Sequence, residues 1–280
     1  MAIQLPKSKL APVRISPKRL LIYSMPKVGK TDMLAQLPSC LILDADKDEG
    51  AGLYECMRQP IGSTRDVLDV VEAIEAEGEK RYGAGMRGAD LFPYRFMAMD
   101  PIDQFEEFAV RSATDKYRKS PLNNNKKFEE KGFTRVTELP DGGGYMYLWN
   151  ELQDVINIIS SRCSNLIITA HVREKYMGGK DEKKGEIASV QDIDLTGKLA
   201  SIITASVDAI GYVYRSAAKD NKGELMISFQ TNESSVMGAR QKYLAGQKMP
   251  FTWDRIYPDL IKRQEDGSYS LIEQKEAVSA

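Results

Sequence analysis

Ser24-Met25-Pro26-Lys27-Val28-Gly29-Lys30-Thr31 follows directly on the apolar run Leu20-Leu21-Ile22-Tyr23. Glycine, four residues and Gly-Lys-Ser/Thr between a strand and a helix is the phosphate-binding loop pattern, and here only its first glycine is replaced, by Ser24. The spacing has a physical reason. A strand that stops and turns into a helix presents successive backbone N–H groups to a phosphate. Gly29 lets the backbone approach closely, Lys30 reaches the β- and γ-phosphates, and the Thr31 hydroxyl stands where it can ligate Mg²⁺. Ser24 occupies a place where glycine would tolerate positive φ without steric cost, so the turn is expected to be altered there. The chemistry implied is nucleotide binding; the bland alternative is a chance Gly-Lys-Thr in an ordinary strand, turn and helix.

Three further positions could complete such a site. Phe96-Met97-Ala98-Met99-Asp100 is an apolar run closed by an acid, the pattern of a strand whose terminal carboxylate holds Mg²⁺ beside the loop. Asp103 is the competing metal acid. Leu43-Asp44-Ala45-Asp46 ends another apolar run, and in a parallel sheet the carboxyl ends of neighbouring strands open on one crevice. Asp44 or Asp46 could there position or deprotonate an attacking water, or could simply cap a helix or shape a turn. His171, in Thr169-Ala170-His171, is the lone histidine and ends a fourth apolar run. It is either a sensor of the γ-phosphate or a structural hydrogen-bonder.

Positioning these groups requires strands alternating with helices. The pattern predicts strands over 18–23, 40–43, 94–99 and 166–169, a helix over 29–37 ending near Pro38, a helix after Arg65, and a helix over 147–160 with Leu148, Leu152, Val155, Ile156 and Ile159 on its core side. Short runs apolar throughout are strands buried on both faces, and the alternation implies an α/β fold with a mostly parallel sheet flanked by helices. Residues 207–214 and 225–231 bracket Asn221-Lys222-Gly223 and read as a hairpin at one sheet edge. Pro6, Pro12 and Pro17 make residues 1–17 an extended lead-in, 18–260 form the core, and the polar 261–280 read as a loose tail.

At 280 residues, with 42% hydrophobic and 28% charged side chains, the composition is that of a soluble globular protein. A net charge of −1 gives no global attraction to nucleic acid, so any such contact must come from local patches. Three cysteines without Cys-x-x-Cys spacing argue against a zinc site and for a reduced, cytoplasmic setting. No stretch approaches membrane-spanning length.

Ser24 to Thr31, Leu43 to Asp46, Met97 to Asp100 and Leu166 to Arg173 together resemble a RecA-like P-loop core. More closely, the chain resembles the phage nucleotide-binding proteins that include RecA-like single-strand annealing ATPases, from about Lys18 to Leu260, including Asp194-Leu195-Thr196-Gly197-Lys198. The resemblance implies ATP and Mg²⁺ as cofactors, Lys30 and Thr31 on phosphate and metal, and Asp100 as the metal acid. It places Asp46 where such proteins often carry a catalytic glutamate and His171 at the start of a DNA-binding loop. It further implies an ATPase that binds single-stranded DNA in annealing or recombination, as a homo-oligomer. The alternative is a nucleotide-dependent loader acting on a single-strand-binding or other replication protein. Asp for Glu and Ser24 for glycine imply slow turnover.

Two segments are candidates for DNA contact. Residues 111–135 carry eight basic against three acidic side chains, including Arg118, Lys119, Lys126 and Lys127, interleaved with Tyr117, Phe128 and Phe133. Basic side chains can track phosphates while rings stack on unpaired bases, although a solvated basic helix looks the same. Residues 173–186, with Arg173 and Lys175, hold five bases and four acids and follow His171 directly. Lys198, Arg215 and Arg240 are candidates for a residue that stabilises phosphate charge in a neighbouring subunit, and spacing does not choose between that role and a surface ion pair.

Overall fold

The structure, a computed structural model, describes residues 9, 12, 14–46, 50–84, 92–120, 132–177, 188–217, 223–231 and 236–273, with backbone alone at 174–177 and 188–191. Its strands are β1 (Arg19–Ser24), β2 (Cys40–Asp44), β3 (Met57–Pro60), β4 (Phe96–Asp100), β5 (Asn165–Met177), β6 (Ala188–Ile193), β7 (Ala209–Arg215), β8 (Leu225–Ser228), β9 (Gly238–Ala239), β10 (Lys248–Pro250), β11 (Ile261–Arg263) and β12 (Tyr269–Leu271). The helices are α1 (Lys30–Ala35), α2 (Thr64–Tyr82), α3 (Ile102–Lys119), α4 (Tyr145–Ser160), α5 (Leu199–Ser206) and α6 (Trp253–Ile256).

The main sheet runs β3-β2-β4-β5-β1-β7-β8-β10. From β3 to β7 every pairing is parallel, and β8 and β10 then add antiparallel. Alternation sorts the buried strand residues onto two faces. Leu21, Leu43, Met97, Met99 and Ile168 pack under α2, α3, α4 and α5. Leu20, Ile22, Ile42, Phe96 and Ile167 pack under α1 and the segment around Trp253 and Tyr257. The indole N–H of Trp253 donates to the Met33 carbonyl at 2.6 Å, pinning α6 to α1. The predicted α/β layering and edge hairpin are therefore present.

The differences from expectation are local. α1 ends at Ala35 rather than reaching Leu37. β3 has no counterpart among the predicted strands, because Met57-Arg58-Gln59-Pro60 is a mostly exposed edge with no apolar run to mark it. β5 continues six residues beyond His171, where β6 pairs with it antiparallel from Val172↔Ile193 to Met177↔Ala188. Val172 to Met177 and Ala188 to Ile193 mix charged and apolar residues without a sustained apolar run, hence no strand signature in the sequence. The residues expected to be a loose tail include β12, which pairs with β11 in a small hairpin, Lys262 opposite Ser270. Asn221 and Lys222 of the expected turn lie outside the described residues.

Candidate active site

Ser24 ends β1 fully buried, and the backbone then turns through Lys27 at φ 62° and Gly29 at φ 122° before α1 begins. These two residues, not Ser24, take up the positive φ that the loop demands. At Gly29 a Cβ would be strained, which accounts for the glycine. Ser24 is instead a strand residue whose hydroxyl anchors the loop. Its Oγ accepts a 2.7 Å hydrogen bond from Lys30 Nζ and donates to the Met25 carbonyl at 2.6 Å. Met25, Pro26 and Lys27 are exposed, and Val28 is half-buried.

Lys30 is only 6% exposed. Desolvation pulls its amine down from 10.5 to about 8, while Asp100 and Asp103 act in the opposite direction. A buried ammonium held by one neutral hydroxyl is under-coordinated, and an arriving polyphosphate would supply the missing negative charge. Beside it, Thr31 Oγ1 donates to Asp100 Oδ2 at 2.8 Å across 69 residues of sequence. The other carboxylate oxygen, Oδ1, accepts from Thr169 Oγ1 on the neighbouring strand β5. A hydroxyl and a carboxylate in direct contact at the loop are oxygen donors of the kind that would hold Mg²⁺. Both residues fit that ion.

Asp44 lies opposite Asp100 in the β2–β4 register. It is buried, its Oδ1 accepts the Asp46 N–H at 3.2 Å, and Arg58 lies 3.6 Å from Oδ2. Burial raises its carboxyl above the ordinary range, with Asp100 and Asp46 adding to the rise. Asp46 is exposed, and together with Asp44, Gln59, Ile61, Gly62 and Asp66 it lines an open cleft of about 690 Å³ at the ends of β2 and β3. Of the two acids, Asp46 is thus the one that bulk water reaches.

His171 follows Thr169 by two residues on β5, and its Nδ1 stands 3.1 Å from Asp103 Oδ1 at the start of α3. Asp103 therefore meets the histidine rather than Thr31. The His171 carbonyl accepts the Asp194 N–H at 2.9 Å, while Arg173 bonds the Leu195 carbonyl at 3.1 Å and lies 3.4 Å from Asp194. Buried Glu106 on α3 accepts the Thr196 N–H at 3.1 Å. One hydrogen-bonded chain thus joins the crevice to the loop at Asp194–Lys198.

Within residues 111–135 several side chains are already committed. Lys116 bonds buried Glu151 at 2.5 Å, Arg135 bonds Glu107 at 2.7 Å, and Arg118 donates to the Thr134 carbonyl at 3.3 Å. Tyr117 packs edge-on against Tyr147 rather than presenting a free face. Lys119 is exposed, whereas Lys126, Lys127 and the Lys175 side chain lie outside the described residues. Arg240 bridges to Asp208 at 3.4 Å, the surface ion pair that was one of its two readings, and Lys198 is exposed beside α5. Thr169 escapes sequence reasoning, since a hydroxyl inside an apolar strand has no motif. Its only signal is its place between two apolar runs' ends.

Among the described residues no helix is long and apolar enough to cross a membrane. No curated protein matches the chain by sequence. Among solved structures it is similar to one titled the crystal structure of the RadB recombinase, at 9% identity over 92% of this chain and 93% of that one, TM-score 0.40. It is also similar to a prototypical ATPase from the type III secretion system of pathogenic bacteria, at 10% identity over 86% of this chain and 62% of that one, TM-score 0.37. Residues 16–241 match the family model described as an AAA domain. That span holds the phosphate loop, the Asp100 strand and the His171 strand together, and the chain belongs to the AAA domain family.

Proposed function

We propose that the chain is a Mg²⁺-dependent ATPase whose nucleotide state controls its grip on single-stranded DNA, acting as a RecA-like oligomer of the single-strand annealing type. The observation that carries the ATPase reading is the meeting of Thr31 with Asp100 at 2.8 Å beside the buried Lys30 amine. Bound Mg²⁺ would screen the charge that develops on the phosphates. Lys30 would leave the Ser24 hydroxyl for the β- and γ-phosphates, Thr31 and Asp100 would hold the ion, and Asp46 would orient the water that attacks the γ-phosphorus. The Asp46→Asn substitution is near-isosteric. It is expected to keep ATP bound and slow steady-state turnover about a hundredfold, within the range for a lost general base. Unchanged turnover there, with slow turnover in Asp44→Asn, moves the role to Asp44.

The DNA reading rests on the hydrogen-bonded route from Asp103 through His171 to Asp194 and the β5–β6 ribbon. A γ-phosphate that draws on the imidazole shifts this route, an order-changing device of the kind P-loop proteins use. His171→Ala should retain ATP binding yet lose about fivefold of the ATP-dependent gain in single-strand affinity, the scale of ordinary coupling energies. Neutralising Lys126 and Lys127 should instead weaken DNA binding with or without ATP and flatten its salt dependence. Titrations at several salt concentrations, with and without a non-hydrolysable ATP analogue, separate the two effects. A His171→Ala variant with full nucleotide-dependent affinity makes the histidine structural. The ion pairs of Lys116 and Arg135 favour the second reading, a loader with a protein partner. Wild type that binds no single strand under any nucleotide condition would overturn the DNA reading in favour of that one.

A further inference from the structure

β7 runs parallel to β1 with Tyr212 opposite Tyr23, and then continues three residues further to Arg215. β1 ends one residue after Tyr23, so β7 overshoots it by two residues, about 7 Å, and carries its last side chain alongside the phosphate loop. Arg215 Nη2 lies 3.5 Å from the point where a Cβ on Gly29 would stand, and Leu225, its partner across the β7–β8 ladder, lies 3.8 Å from the same point. The guanidinium is steadied from behind, because Nη1 donates to the Gly223 carbonyl at 3.0 Å.

We propose that Arg215 binds the phosphates of the nucleotide in cis, from within the same subunit, as a second cation beside Gly29. The inference rests on the nucleotide reading above. A guanidinium has five N–H donors in a rigid fork, and the Gly223 carbonyl uses one. Among the described residues no carboxylate pairs with Arg215. An exposed strand end is an ordinary place for an arginine. Placing it against Gly29, the residue that directly precedes Lys30, puts a second cation at the turn whose backbone faces a phosphate. A guanidinium with donors to spare at such a turn matches the oxygens of a phosphate in a planar fork. Because Gly29 directly precedes Lys30, the contact falls on the phosphates that ATP and ADP share. The assignment also gives the β7–β8 hairpin a purpose, since the antiparallel pairing fixes the arginine over the loop. It leaves any neighbouring subunit's contribution to other residues.

Equilibrium binding of ATP and ADP to the full chain, for wild type, Arg215→Ala and Arg215→Lys, tests the proposal. Arg215→Ala should weaken both nucleotides about tenfold, the effect of one charge-assisted contact, and Arg215→Lys should recover part of the loss. Turnover of an equimolar mixture of Lys30→Ala and Arg215→Ala chains should stay at the sum of the two alone, since a cis residue cannot be supplied by a partner. Wild-type affinity in Arg215→Ala overturns the assignment, as does a loss confined to ATP. Activity restored by mixing also overturns it, by placing the arginine in a neighbouring site. Nucleotide binding absent from wild type would sink the ATPase reading itself. Binding in wild type that Arg215→Ala fully retains sinks only the role of Arg215.

Discussion

Lys30→Ala is expected to weaken ATP binding about a thousandfold while leaving thermal unfolding close to wild type, because a buried charge that pairs with phosphate is worth several kcal/mol to the complex. The free chain loses little. Its ammonium is desolvated and held by the Ser24 hydroxyl alone among hydrogen-bond partners, so truncation removes a group that burial already disfavours. Isothermal titration with a non-hydrolysable analogue, alongside a melting curve, reads both quantities. The same lysine sets a pH signature. Its amine titrates at about 8 in the folded free chain, so above that pH binding must take up a proton and affinity should fall as pH rises. Below about 8 the burial of the charged amine costs stability, and that cost is relieved as pH climbs towards 10.5. Wild-type affinity in a folded Lys30→Ala chain would remove the phosphate-loop assignment.

Asp100→Asn should abolish the Mg²⁺ requirement along with the activity, lowering turnover about a thousandfold, the several kcal/mol that a positioned metal ion supplies. The substitution keeps the shape. Thr31 and Thr169 both donate to the Asp100 carboxylate, and because a hydroxyl can donate or accept, either can turn to meet the amide instead. What is lost is the negative charge. Turnover measured against Mg²⁺ concentration, with a melting curve as control, separates this from unfolding. A folded Asp100→Asn chain with wild-type turnover and the same Mg²⁺ dependence would move the metal acid elsewhere. Asp103, bonded to His171, would then be the next acid to test.

Ser24 to Thr31, the apolar runs before Asp44, Asp100 and His171, and the mostly parallel character of the sheet were legible in the sequence for a common reason. A buried parallel strand must be apolar on both faces, and a phosphate-binding turn needs residues of fixed type at fixed offsets. Local patterning therefore determined the α/β class and brought the loop's own residues together without any long-range information. It could not determine what stands across from them. Ser24 reads as a defect in a motif, and only the fold shows it as the hydroxyl that holds Lys30. Thr169 reads as one polar residue in an apolar strand until β5 lies beside β4. Lys116 and Arg135 read as a basic patch until Glu151 and Glu107 meet them. Arg215 reads only as one of three cations that could serve a neighbouring subunit, because its place beside Gly29 depends on how far β7 runs past β1. Contacts of that kind are set by sheet register and strand length. These are decided by packing between segments distant in the chain, so only the tertiary structure could place those side chains.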